Sequence, residues 1–169
     1  MTARLSLLVV ALLVPACAGY RLGGSKPAHL APVSLIHVEV VENRTLMPRA
    51  GAHATNSIVD ALTRDGTYRP GAASNADAFL RTSLSRIEYR QARSARRDTL
   101  RSEELRMTVS LEWVLVDASN PSRILDKGES SGRTVFFVDP NLQTARQSAL
   151  PEALRRAAES LVARLADGF

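Results

Sequence analysis

Leu105-Arg106-Met107-Thr108-Val109-Ser110-Leu111-Glu112-Trp113-Val114-Leu115-Val116 is the stretch that settles what kind of fold this chain makes. Leu105, Met107, Val109, Leu111, Trp113 and Leu115 alternate with Arg106, Thr108, Ser110 and Glu112. Successive side chains of a strand point to opposite faces, so the alternation predicts a strand with one face in a core and the other in water. The neighbouring segments repeat the pattern. Ala76 to Tyr89 predicts a strand with Ala78, Leu80, Thr82 and Leu84 on one side and Phe79, Arg81, Ser83 and Ser85 on the other. Asp117 to Ser122, with Asn120-Pro121, reads as a turn. It leads to a strand over Ile124 to Val138, in which Val135 and Phe137 share a phase. Gly128 and Gly132 in that strand predict a bulge or a close backbone approach.

Upstream, Val33 to Val41 predicts another strand, with Ile36, Val38 and Val40 opposite His37 and Glu39. Ala52 to Arg64 carries Ala54, Ile58, Ala61 and Leu62 at helical spacing, and Gly66 follows where a left-handed C′ residue is wanted. Thr67 to Asn75 reads as loop. The last segment, Asn141 to Ala166, predicts an amphipathic helix whose stripe is Ala149, Ala153, Leu154, Ala157, Leu161 and Leu165. Pro151 has no backbone N–H, so this helix is either kinked there or begins there. The order strand, helix, three strands, helix predicts an α+β two-layer sandwich, with two helices on one face of a four-stranded, mostly antiparallel sheet. Trp113, Leu111, Val109, Leu80, Leu84, Ile36 and Val38 would supply the sheet side of the core. Ile58, Leu62, Leu154 and Leu161 would supply the helix side.

The N-terminus carries a different kind of information. Arg4 precedes an apolar run from Leu5 to Val14, and small Ala16 precedes Cys17, the chain's single cysteine. That is the layout of a secretion signal cleaved ahead of a cysteine that becomes lipidated. A buried free thiol is the other reading of Cys17. The run is shorter than the ~20 residues a membrane-spanning helix needs. The expected organisation is a signal peptide over 1–16, a lipidated tether over 17–32 and one domain over 33–169. With one cysteine, no disulfide framework holds the domain, so packing has to.

The net charge is +5, and it is concentrated. Arg81, Arg86, Arg90, Arg93, Arg96, Arg97, Arg101 and Arg106 face only Glu88, Asp98, Glu103 and Glu104 in the same window. Such an excess favours anionic partners, and secretion makes nucleic acid the poorest of them. Catalytic groups are scarce. His29, His37 and His53 have no second ligand at metal spacing, no Gly-x-Ser-x-Gly elbow occurs, and Gly23-Gly24-Ser25-Lys26 lacks the rest of a phosphate loop. The expectation is a protein that is not an enzyme and carries no cofactor and no metal.

Specific strings then add a resemblance. Cys17-Ala18-Gly19-Tyr20-Arg21-Leu22 resembles the Cys-Gly-Tyr-x-Leu start of mature LptE proteins, the lipopolysaccharide-assembly lipoproteins of the outer membrane. Val38 to Thr45, Ala76 to Leu80, Gly132 to Val138 and Arg156 to Leu161 are similar to that family's strands and last helix, in the same order. Ala18 after the cysteine and Pro151 in the last helix depart from the pattern. The resemblance implies a lipid-anchored protein on the periplasmic side of the outer membrane. It would act as plug and assembly partner of the translocon barrel LptD and help lipopolysaccharide reach the outer leaflet, without covalent chemistry. A periplasmic regulator lipoprotein that activates a cell-wall synthase is the alternative of similar size and layout. Under the first reading Arg93, Arg96 and Arg97 would meet lipid A phosphates, which suit the planar arginine fork. Their other reading is a solvated hairpin tip.

Overall fold

The computed structural model describes residues 26–92, 104–138 and 141–168. Strands β1 (Leu35–Val38) and β2 (Glu42–Asn43) come first, followed by helix α1 (Ala50–Asp65) and the two-residue β3 (Arg69–Pro70). The long strands β4 (Ala78–Gln91), β5 (Glu104–Asp117) and β6 (Ile124–Phe137) precede helix α2 (Leu142–Asp167). They form one six-stranded sheet in the order β3-β1-β4-β5-β6, with β2 also on β4. The α+β class and the placement of both helices on one face are as the sequence predicts. The predicted four strands are corrected to six, because the two-residue β2 and β3 also pair along the first edge, and the sheet differs in two further respects.

It is mixed rather than mostly antiparallel along its first edge. β4-β5-β6 is an antiparallel meander, but β1, β2 and β3 all pair in parallel. The reason is the connection: a helix lies between β1 and β4, and a helical crossover returns the chain in the direction it started. The second difference is in phase. Val38 pairs with Leu80 and Glu42 with Ser83, so four steps along the first edge match three along β4. The extra residue turns Val40 out, 81% exposed, and brings Val41 into the core at 3%. The predicted inward position of Val40 is thereby corrected.

The same device occurs inside β4. Leu84 pairs with Leu111 and Arg86 with Ser110, leaving Ser85 as a bulge. Before it the inward residues are Ala78, Leu80, Thr82 and Leu84; after it Ile87 and Tyr89 pack on the core. β5 has no shift across that span, and Met107, Val109, Leu111, Trp113 and Leu115 are all buried, as predicted.

Close approach, the second of the two readings of Gly132, is what the structure shows. A Cβ there would lie 2.0 Å from the Ala153 carbonyl oxygen and 2.3 Å from the Ala157 nitrogen. Small residues on both sides let α2 rest directly on β6. The helix begins at Leu142 and runs through Pro151. Asn141 caps it, its Oδ1 accepting from the Gln143 and Thr144 backbone N–H groups. Pro151 and Gln147 are both exposed, so the carbonyl that loses its donor is on the wet side of the helix. Gly66 takes the left-handed conformation after α1, at φ 76°.

Two core residues come from segments read as loop and tether. Tyr68 is fully buried, and its hydroxyl donates to the Leu165 carbonyl at 2.9 Å. That carbonyl belongs to the last turn of α2, where acceptors have no partner within the helix. Burial, with Asp126 and Asp65 nearby, pushes the Tyr68 hydroxyl up to about 12. Leu30 is also fully buried, so packing starts ahead of Val33. The signal peptide, Cys17 and most of the tether lie outside the described residues.

Candidate functional site

Because both helices cover one face of the sheet, the other face is left to whatever the chain meets. β4 contributes Arg81, Arg86, Glu88 and Arg90 to it, β5 Glu104, Arg106, Thr108 and Glu112, and β6 Lys127, Glu129, Ser131 and Arg133. The register divides this surface into two unlike ends.

At the end near β1 and β2 there is a shallow depression of about 660 Å³. Its charges neutralise one another. Arg81 Nε lies 3.0 Å from Glu39, and Arg44 lies 2.8 Å from Glu42 and 3.6 Å from Glu112. The Arg44 hydrogen bond, then its charge, holds the Glu42 carboxyl below the usual carboxylate range. Such a surface offers little net field to a charged ligand.

The opposite end is basic. Arg90 stands directly across from Arg106, a like-charge pair that is unfavourable unless a counter-charge is near. Glu88 supplies one, accepting from Arg86 at 3.1 Å and from Arg90 at 3.2 Å. Those bonds, the one from Arg86 first, hold the Glu88 carboxyl low. Among the described residues, Arg106 and Arg133 have no carboxylate partner. Arg133 pairs across from Thr108, next to the Arg106–Val135 pair, so the two arginines are diagonal neighbours on the open face. Val135, 45% exposed, and Phe137, 61% exposed, stand on the same face. The phase shared by Val135 and Phe137 is therefore the outward one, and it is Phe136, at 9%, that packs on the core. Behind them a groove of about 330 Å³ runs between β6 and α2, bordered by Phe136, Ala145, Ala149 and Glu152.

Of the residues singled out in the sequence, Cys17, Arg93, Arg96 and Arg97 lie outside the described residues. Arg90 and Arg106, on the strands that flank the predicted tip, are in the basic end. Arg133, Val135 and Phe137 join them from β6, about thirty residues further on by sequence. The sequence did carry a signal for them: the outward alternation Glu129, Ser131, Arg133, Val135. It could not be aligned with β5 without the register.

His37 Nδ1 is 3.0 Å from the Gly71 carbonyl oxygen, and its ring stands edge-on to Phe79. No cluster of three or more histidine, cysteine or acidic side chains suited to a metal ion occurs among the described residues. Nor is any described helix long and apolar enough to cross a membrane. What the arrangement offers is a cationic and partly apolar surface on a rigid sheet, which can bind anionic or amphiphilic groups.

By class the protein is a two-layer α+β domain with one helix-covered face and one open, charged face. The chain belongs to the LptE lipopolysaccharide-assembly family, whose model matches residues 34–165. No curated protein matches it by sequence. Solved structures share the fold at low identity. One is a lipoprotein from Caulobacter crescentus CB15, at 21% identity and TM-score 0.55, covering 78% of this chain and 87% of that one. PelC from Paraburkholderia phytofirmans, solved as a dodecamer, is similar at 19% identity and TM-score 0.50, covering 85% and 94%. Lipoprotein B from Nitrosomonas europaea gives 12% identity and TM-score 0.52, covering 88% and 90%. At these identities the likeness is one of fold.

Proposed function

We propose that this protein is a lipid-anchored component of the outer membrane, attached through Cys17, that acts as plug and assembly partner of the lipopolysaccharide translocon barrel LptD. The observation that carries the reading is the family match across nearly the whole folded domain. The open sheet face supports it, since a domain seated in a barrel needs a broad polar surface that also stays in water when alone. The basic end of that face would meet the phosphates of lipopolysaccharide through Arg106 and Arg133, and Arg93, Arg96 and Arg97, outside the described residues, would act with them. Arginine suits phosphate because its fork binds two oxygens at once.

Three measurements test this. Mass spectrometry of the membrane-extracted protein is expected to show an acylated Cys17 as the first residue. Affinity purification from membranes is expected to recover a large β-barrel; recovery of a cell-wall synthase in its place would overturn the assignment. Replacing Arg93, Arg96 and Arg97 together with Ser is expected to leave folding intact, because exposed changes usually stay within ~0.5 kcal/mol. Binding of purified lipopolysaccharide should fall, and the residual binding should depend less on salt.

A further inference from the structure

Among the described residues β6 is the last strand of the sheet, and its 14 residues make a long edge. Unpaired N–H and C=O groups on such an edge are a template for another strand. Here two of them are already occupied. Arg156 Nη1 donates to the Arg133 carbonyl at 3.0 Å, and Arg164 Nη1 donates to the Glu129 carbonyl at 3.2 Å. Both arginines come from α2, and Glu152 holds Arg156 in place through its Nε at 2.7 Å.

The two capped carbonyls are placed symmetrically about Ser131. Residues two apart on a strand turn their backbone groups to the same side, so Glu129, Ser131 and Arg133 all direct theirs outward. An antiparallel pairing of β6 with β6 of a second copy, centred on Ser131, would use these three residues. It would set Ser131 opposite Ser131 and Glu129 opposite Arg133 of the second copy, twice by symmetry. Glu129, Ser131 and Arg133 are all exposed on the open face, so the two cross-strand pairs would be of opposite charge. The same geometry would bring the α2 flanks together, and Arg156 and Arg164 would then face like charges. We propose that the β6 edge is a latent interface for a second copy of this chain, complementary to itself about Ser131, and that Arg156 and Arg164 lock it in the single chain.

Disulfide trapping in the full chain tests both halves of the proposal. Directly opposite residues in a hydrogen-bonded antiparallel pair have Cα atoms ~5.5 Å apart, within disulfide reach. Ser131→Cys in an Arg156→Gln/Arg164→Gln background is therefore expected to form a covalent dimer on mild oxidation, several-fold more than Ser131→Cys with both arginines present. Lys127→Cys in the same background is the control, because the pairing sets Lys127 against Val135 and not against itself. Trapping at Ser131 no better than at Lys127 would overturn the interface. Equal trapping with the arginines intact would overturn the lock. Should the double variant not fold, Arg164→Gln alone frees the Glu129 carbonyl and carries the same expectation.

Discussion

Replacing Gly132 with Ala should unseat α2 from the sheet. The added Cβ would stand 2.0 Å from the Ala153 carbonyl oxygen and 2.3 Å from the Ala157 nitrogen, whereas ordinary contact begins at 3.4 Å. Both neighbours are backbone, so no side-chain rotation relieves the clash. The helix has to withdraw by more than an ångström locally. Ala153, Leu154, Ala157, Ala158 and Leu161 are essentially fully buried along this contact, so a lift costs packing over several turns. Overpacking a well-packed core costs ~1–3 kcal/mol, and a backbone clash belongs at the upper end. Urea denaturation of the parent and the variant measures the loss. Ser131→Ala, one residue away on the open face, is the control and should stay within ~0.5 kcal/mol. A Gly132→Ala variant as stable as the Ser131→Ala control would refute the close approach.

Leu111→Ala and Leu161→Ala, which remove fully buried side chains from the sheet and helix sides, should each cost ~2–5 kcal/mol in the same assay. A loss below ~0.5 kcal/mol would show the face assignment to be wrong. Tyr68→Phe should cost ~1–3 kcal/mol, because it strands the buried Leu165 carbonyl that the hydroxyl now satisfies at 2.9 Å. Thermal melts should also become less stable in acid. Hydrogen bonds from Arg155 and then Arg156 hold the Glu152 carboxyl down from 4.5 to about 2. A carboxylate whose folded value is depressed contributes stability above its unfolded value and loses it as pH falls toward the folded one. The Glu152 contribution should therefore fade between pH 4.5 and about 2, and Glu152→Gln should flatten the melting curve across that window. An unchanged pH dependence in that variant would show the ion pairs to be idle.

Much of this protein was determined locally and is legible without coordinates. The alternation in β5, the stripe of α2 and the C′ glycine after α1 each depend on residues within a few positions of one another, where periodicity is decisive. The same holds for the layering: one apolar face per strand and one stripe per helix leave few ways to pack. The signal-like N-terminus around Cys17 is likewise a local pattern. Tertiary structure decided what depends on registration between distant segments. The extra residues at Val40 and Ser85 change which side chains face inward, because a one-residue shift in a strand reverses every side chain beyond it. Tyr68, in a segment that reads as loop, became a core residue because an unpaired helix-end carbonyl needed a donor. Arg133 met Arg106, and Arg156 and Arg164 met the β6 edge, only through strand register and the seating of α2 on Gly132. Sequence spacing carries no trace of such contacts, since they are made between elements whose relative position is set by the packing of everything else.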